Sequence, residues 1–169
     1  VYIADEESKL LTNTSPVIRK KLIELFGKEL YTDNGLDRRL LASHIFNNPK
    51  QLKRVNEIIH PEVNRHFSTW VKRQNTPLCA IESAILFESS FNKAVDVSLM
   101  VYAPKELRIK RALSRDAVPK AEIERRINNQ MPDEEKKERS DYVIYNDDKR
   151  ALIPQVQYLI HHLLTQKHS

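Results

Sequence analysis

Glycine is the scarcest common residue here. The 169-residue sequence holds two, Gly27 and Gly35, where average usage of about 7% would give roughly a dozen. Motifs that need several glycines are therefore excluded, and neither GxGxxG nor GxxxxGK followed by Ser or Thr occurs in the sequence. Cysteine is nearly absent as well: Cys79 stands alone, so an internal disulfide and a cysteine-cluster metal site are excluded. The six histidines show no HExxH or comparable metal spacing. No apolar run reaches membrane-spanning length and no signal peptide is visible, so a reducing, cytoplasmic setting without membrane association is expected.

Against these absences stands an abundance of charge. Lys and Arg number 28 and Asp and Glu 23, a formal net charge of +5, which suggests an anionic partner such as nucleic acid, a membrane surface or a phosphorylated metabolite. The cations are interleaved with acids, as in Glu122 to Arg126 and Asp133 to Lys137. Such mixing reads as a solvated helix face and argues against a nucleic-acid-binding stripe.

The chain is long enough for one sizeable core, with room for a small helical insert. Val1 to Ala4 reads as a short buried strand that delivers Asp5 at its carboxyl end. Ser15-Pro16, the apolar positions Ile18, Leu22, Ile23 and Phe26, and then Gly27 predict a capped amphipathic helix. Asp33-Asn34-Gly35 is turn chemistry, and Leu36 to Phe46 has helical spacing. Two further helices are expected at 49–58 and 61–74, with Pro61 in a first turn. Leu78 to Ser83 and Val97 to Ala103 read as parallel strands buried on both faces. Helices at 104–115, 119–130 and 133–139, a strand Tyr142 to Tyr145 and a closing helix at 148–166 complete an α/β pattern, with the helical stretch 15–74 inserted between the first two strands.

Several residues in this pattern could carry chemistry. An acid at the carboxyl end of a parallel strand lies where open α/β sheets place their ligands, so Asp5 is a candidate general base or metal-linked acid; its alternative is a helix cap. Arg111 and Arg115 are four residues apart on one helical face, where two guanidinium groups can converge on a polyphosphate, unless they simply form a solvated face. Their position after a strand and before another charged helix is the layout of a phosphotransfer lid. His60 could orient a ligand or pack, and Glu88, expected just past a buried strand, could hold a substrate group or a helix terminus. Asn146 could meet a base edge or belong to a turn.

Taken in order, these segments resemble the dephospho-coenzyme A kinases, a family of P-loop kinases. The resemblance is carried by Val1 to Asp5, Phe26-Gly27, Gly35 to Arg38, Ile45-Phe46, Ile59-His60-Pro61, Ala84 to Glu88, Val95-Asp96, Arg111 with Arg115, Arg126-Ile127 with Gln130, and Ser140 to Asn146. No single piece is specific, whereas their joint order covers nearly the whole chain. Ile3 stands where the family has the first acid of an Asp-Ala-Asp pattern, and Ala84 where it has a proline.

The resemblance implies a three-layer α/β P-loop kinase fold with a parallel sheet, a helical substrate domain and a helical lid. Residues 1–14 and 75–169 would form the nucleotide-binding core, with the lid at about 104–139 and the substrate-binding insert at 15–74. The implied reaction moves the ATP γ-phosphoryl to the ribose 3′-hydroxyl of dephospho-coenzyme A, the last step of coenzyme A biosynthesis, with Mg²⁺ accompanying ATP. Asp5 would take the hydroxyl proton and Arg115 would meet the phosphates; Arg111 and Asn146 would bind the nucleotide, and Arg38, His60 and Glu88 the acceptor. The resemblance implies that Mg²⁺ is held by the family's phosphate loop. The family's first strand and GxGSGKS phosphate loop would precede Val1, so a truncated or renumbered kinase is expected, inactive as residues 1–169 alone. The alternatives are a pseudokinase or another small-molecule or nucleoside P-loop kinase.

Overall fold

The computed structural model describes residues 1–166, and the chain divides into two compact units between Ala84 and Ile85.

The first unit begins with β1 (Tyr2–Ile3), which pairs in parallel with β4 (Ile81–Glu82), Tyr2 opposite Ile81. The strand is short because α1 (Ala4–Thr14) starts at once, and β4 is correspondingly shorter than the Leu78 to Ser83 strand expected from sequence. Asp5, Glu6 and Glu7 crowd the first turn of α1, where carboxylates complement the positive end of the helix dipole. The next helix, α2 (Pro16–Phe26), follows its sequence signals closely. The Ser15 side chain accepts from the Ile18 N–H, Pro16 opens the helix, and Gly27 closes it at φ 98° with its N–H on the Ile23 carbonyl. That φ is strained for any residue with a Cβ.

A small antiparallel hairpin, β2 (Tyr31–Thr32) with β3 (Gly35–Leu36), comes next. It takes Leu36 out of the predicted helix, and α3 (Arg38–Ile45) starts only after Asp37 caps the Arg39 and Leu40 N–H groups at 2.9 Å. The two helices expected at 49–58 and 61–74 are one, α4 (Pro49–Val71), with Pro61 in its interior. An interior proline costs about 3 kcal/mol. Val63 and Phe67, both buried beyond it, offset this, since burying each stabilises by about 1.5–3 kcal/mol. Ile18, Leu22, Leu30, Tyr31 and Val55 form the buried core, joined by Ile58 and Ile59 at its edge.

In the second unit β5 (Leu99–Tyr102) pairs in parallel with β6 (Tyr142–Tyr145) in direct register, Leu99 opposite Tyr142. Between them run α5 (Lys105–Arg115), α6 (Lys120–Asn128) and α7 (Asp133–Arg139). α7 packs on β5, and the closing helix α8 (Leu152–Gln166) packs on β6. The expected burial of β5 on both faces does not hold. Leu99 and Val101 are exposed and alternate with the partly buried Met100 and Tyr102, as opposite faces of a pleated strand do.

The start of this strand pair is fixed by polar groups. Asp141 Oδ2 accepts from the Ser98 N–H at 2.8 Å and from its hydroxyl at 2.6 Å, while Ser98 Oγ accepts from the Asp141 N–H at 3.1 Å. At the other end the Gln155 amide of α8 accepts from the Tyr145 N–H at 2.9 Å and donates to its carbonyl at 3.1 Å. Glu88 does not lie just past a strand as expected: residues 84–90 are a run of turns. The Ser89 N–H and hydroxyl are both directed at the Ile85 carbonyl. Among the described residues no helix is long and apolar enough to cross a membrane.

Candidate active site

Asp5 leaves β1 and enters the first turn of α1 as an exposed side chain. The N-cap of α1 is Ile3, with no side-chain cap bond, so capping is not what Asp5 does. The strand that positions it is held from behind by α4. Tyr2 is 1% exposed, its ring edge-on to Phe67 at 5.1 Å and to Trp70 at 5.6 Å, and its hydroxyl lies 2.9 Å from His66 Nδ1. His66 Nδ1 is also 3.6 Å from Glu7 Oε2. Burial, and then the Glu7 carboxylate, push the Tyr2 hydroxyl up, keeping it protonated and able to donate. Tyr2, Glu7 and His66 escaped the sequence reading because the bond between Tyr2 and His66 spans 64 residues.

The same unit carries Arg38 and His60. Arg38 is the exposed first residue of α3, immediately after the Asp37 cap. His60 is half-buried within α4, one residue before Pro61, and burial lowers its imidazole from the ordinary value of 6.5. A histidine shifted down is neutral at pH 7, suited to hydrogen bonding and less to charge pairing.

In the second unit the structure brings Arg111 and Asn146 together. The Arg111 guanidinium donates to the Asn146 carbonyl at 3.1 Å, to Asn146 Oδ1 at 3.2 Å and to Asp148 Oδ1 at 2.6 Å. Asn146 continues from β6 through its N–H on the Tyr102 carbonyl, and Asp148 adopts φ 62° beside it. The turn is completed by Asp147, which accepts from the Lys149 and Arg150 N–H groups, while the Arg150 guanidinium stacks 3.8 Å from the Tyr145 ring centre. Arg111 thus links the end of β6 to α5, one turn before Arg115.

Arg115 ends α5 with its side chain 78% exposed, donating through Nε and Nη2 to both oxygens of Asp116. That bond holds the Asp116 carboxyl below its usual range. An exposed ion pair of this kind contributes between nothing and about 1 kcal/mol, so a phosphate can take over the guanidinium at little cost. Glu88 accepts from the Met131 N–H at 2.8 Å and lies 3.2 Å from Lys136 Nζ. Among the described residues no group of three or more His, Cys, Asp or Glu side chains could hold a metal ion.

A family model described as Dephospho-CoA kinase matches residues 3–151. A protein named Dephospho-CoA kinase from Bacteroides fragilis (strain YCH46) is 46% identical over 169 residues, covering 99% of this chain and 82% of that relative. One of the same name from Porphyromonas gingivalis is 38% identical over 99% of this chain and 83% of its own length. Among solved structures, TT1252 from Thermus thermophilus superposes with a TM-score of 0.78 at 28% identity, over 98% of this chain and 83% of that one. The Campylobacter jejuni dephospho-CoA kinase shares the fold, with a TM-score of 0.62 at 23% identity over 99% and 86%. A match that spans both units and nearly every motif leaves one reading: the chain belongs to the dephospho-CoA kinase family.

Proposed function

We infer that this enzyme transfers the γ-phosphoryl group of ATP to the ribose 3′-hydroxyl of dephospho-CoA, the last step of coenzyme A biosynthesis, in the cytoplasm. Family membership supports the reaction. The observation that carries the residue roles is Asp5, an exposed carboxylate at the end of a parallel strand and not engaged in capping its helix. In this reading Asp5 accepts the proton of the 3′-hydroxyl as that oxygen bonds to the γ-phosphorus. The bond from the γ-phosphorus to the bridging oxygen breaks, and ADP leaves with the electron pair.

Arg115 exchanges Asp116 for the transferring phosphoryl and stabilises the charge that develops there. Arg111 and Asn146 shape the loop that receives the nucleotide. The helical segment 15–74 binds the acceptor, Arg38 meeting its anionic groups and a neutral His60 donating or accepting a hydrogen bond. Glu88 belongs to the acceptor side in the family resemblance. Mg²⁺ accompanies ATP. No step is assigned to it.

The test is a transfer assay with the purified enzyme, offering dephospho-CoA, adenosine and other nucleosides as acceptors with ATP as donor. Phosphorus NMR of the product identifies the oxygen modified. Transfer to dephospho-CoA at the 3′-oxygen is expected. A preference for free nucleosides would replace this reading with that of a nucleoside kinase.

A further inference from the structure

Glu88 and α7 are tied together more closely than a mobile cover would need. The Glu88 carboxylate receives the N–H of Met131, in the junction between α6 and α7, at 2.8 Å, and the Lys136 ammonium of α7 at 3.2 Å. Both side chains of this pair are largely shielded, 24% exposed for Glu88 and 13% for Lys136. Beside it the Arg139 guanidinium lies 4.8 Å from the Phe87 ring centre. Lys137 sits 5.3 Å from the Tyr102 ring centre and 5.8 Å from that of Tyr145, at the ends of both strands. Arg108 of α5 bonds Asp133 at the start of α7. The helix is thus fastened to the 87–88 turn, to the strand pair and to α5.

α6 differs. Its described ion pairs, Lys120 with Glu124 and Arg126 with Glu122, lie within the helix itself. Its buried residue is Ile123, and it packs on α5. The stretch that leads into it opens with the exposed Arg115 and Asp116 pair.

We propose that Glu88 is a positioning residue that anchors the junction between α6 and α7, so that the moving part of the lid is Asp116 to Gln130 and α7 is its fixed base. The proposal rests on the lid reading of α5 to α7 given above. It confines the motion to a segment whose first residue releases Arg115, and it places the far hinge at Met131, where a backbone N–H held by a carboxylate resists displacement. The proposal replaces the acceptor-side role that the family resemblance implies for Glu88, because Glu88 Oε1 meets the Met131 N–H and the Lys136 ammonium.

Amide hydrogen exchange on the purified protein tests this directly, with Glu88→Ala, Glu88→Gln and Lys136→Gln compared with the unaltered chain. The glutamine can still accept from Met131, so Glu88→Gln should keep that amide within about threefold of its original exchange rate, whereas Glu88→Ala should speed it by about tenfold or more. Exchange in β5 and β6 should stay unchanged in both. Adding ATP should slow exchange in 116–130 and leave 133–139 as it was. Turnover of Glu88→Ala should fall with little change in KM for dephospho-CoA. An unchanged Met131 amide in Glu88→Ala, or ATP protecting α7 as strongly as α6, overturns the proposal. A raised KM for dephospho-CoA with unchanged exchange would instead assign Glu88 to the acceptor. If Glu88→Ala does not fold, the comparison moves to Lys136→Gln, which should speed Met131 exchange by about three- to tenfold; no change there overturns the proposal too. Failure of the enzyme to phosphorylate dephospho-CoA would remove the assigned reaction and leave the exchange result standing.

Discussion

The two units hold their candidate groups by different physics. In Val1–Ala84 the position of Asp5 descends from a buried tyrosine, an aromatic cluster on α4 and a strand two residues long. In Ile85–Ser169 the equivalent task falls to charges: Arg111 on Asn146 and Asp148, Arg115 on Asp116, Glu88 on Met131 and Lys136. Apolar burial is non-directional and is not screened by salt as charge pairs are, which suits a base whose place must not change. Exposed ion pairs are individually weak and can be exchanged for other anions, which suits arginines that must change partners during a reaction cycle.

The comparison can be pressed hardest at Asp5. Asp5→Asn should lower turnover by about 10²–10⁴-fold while ATP affinity stays near normal, measured by steady-state kinetics and nucleotide titration; near-normal turnover would remove Asp5 from the role of base. Arg115→Ala should lower the rate by about 10²–10³-fold and affinity by much less, because its partner charge develops in the transition state. Equal losses in both would make it a simple anchor.

Stability separates the units more gently. Leu22→Ala, in a side chain with 0% exposure, should cost about 2–5 kcal/mol in urea unfolding. Ser98→Ala, which removes one hydroxyl from the box with Asp141, should cost about 1–3 kcal/mol. A larger loss from Ser98→Ala than from Leu22→Ala would reverse the comparison.

The smallest expected effect is on pH dependence. The Ser98 hydroxyl, then its N–H, hold the Asp141 carboxyl below its ordinary value of 3.8. Burial alone would raise Glu88, but the Met131 N–H and Lys136 outweigh it and hold that carboxyl below its ordinary 4.5. Both groups bind protons more readily when unfolded, so their stabilisation is fully present above those ordinary values and is lost as pH falls below them through the depressed folded values. Acid unfolding of Asp141→Asn should therefore be shallower than that of the unaltered protein below pH 3.8, and an identical acid limb would show that the box contributes nothing.

Local chemistry was legible in the sequence wherever it acts over a few residues. Ser15, Pro16 and Gly27 bound α2, and the expected 133–139 and Tyr142 to Tyr145 coincide with α7 and β6. Asp5, Glu6 and Glu7 are a first-turn signature of α1, directly after the apolar run that forms β1. Pro61 misled because proline usually marks a boundary, and only the burial of Val63 and Phe67 reveals why the helix continues. Glu88 reads from sequence as lying just past a strand, whereas β4 ends at Glu82 and residues 84–90 are turns. At the site, residue types pointed to Asp5, Arg111, Arg115 and Asn146. The hydrogen bond of Tyr2 with His66, and that of Glu88 with Met131, join residues 64 and 43 positions apart. No local pattern encodes such a pairing.

Pro61 has a further consequence for how α4 comes apart. Before it, Val55, Ile58 and Ile59 belong to the core with α2; after it, Phe67 and Trp70 belong to Tyr2 and β1. The missing proline N–H leaves a gap in the hydrogen-bond ladder between those two allegiances. A continuous cylinder in space is thus two cooperative segments in energy, and partial unfolding should release β1 with the carboxyl-terminal half of α4 while the half before Pro61 remains folded on α2.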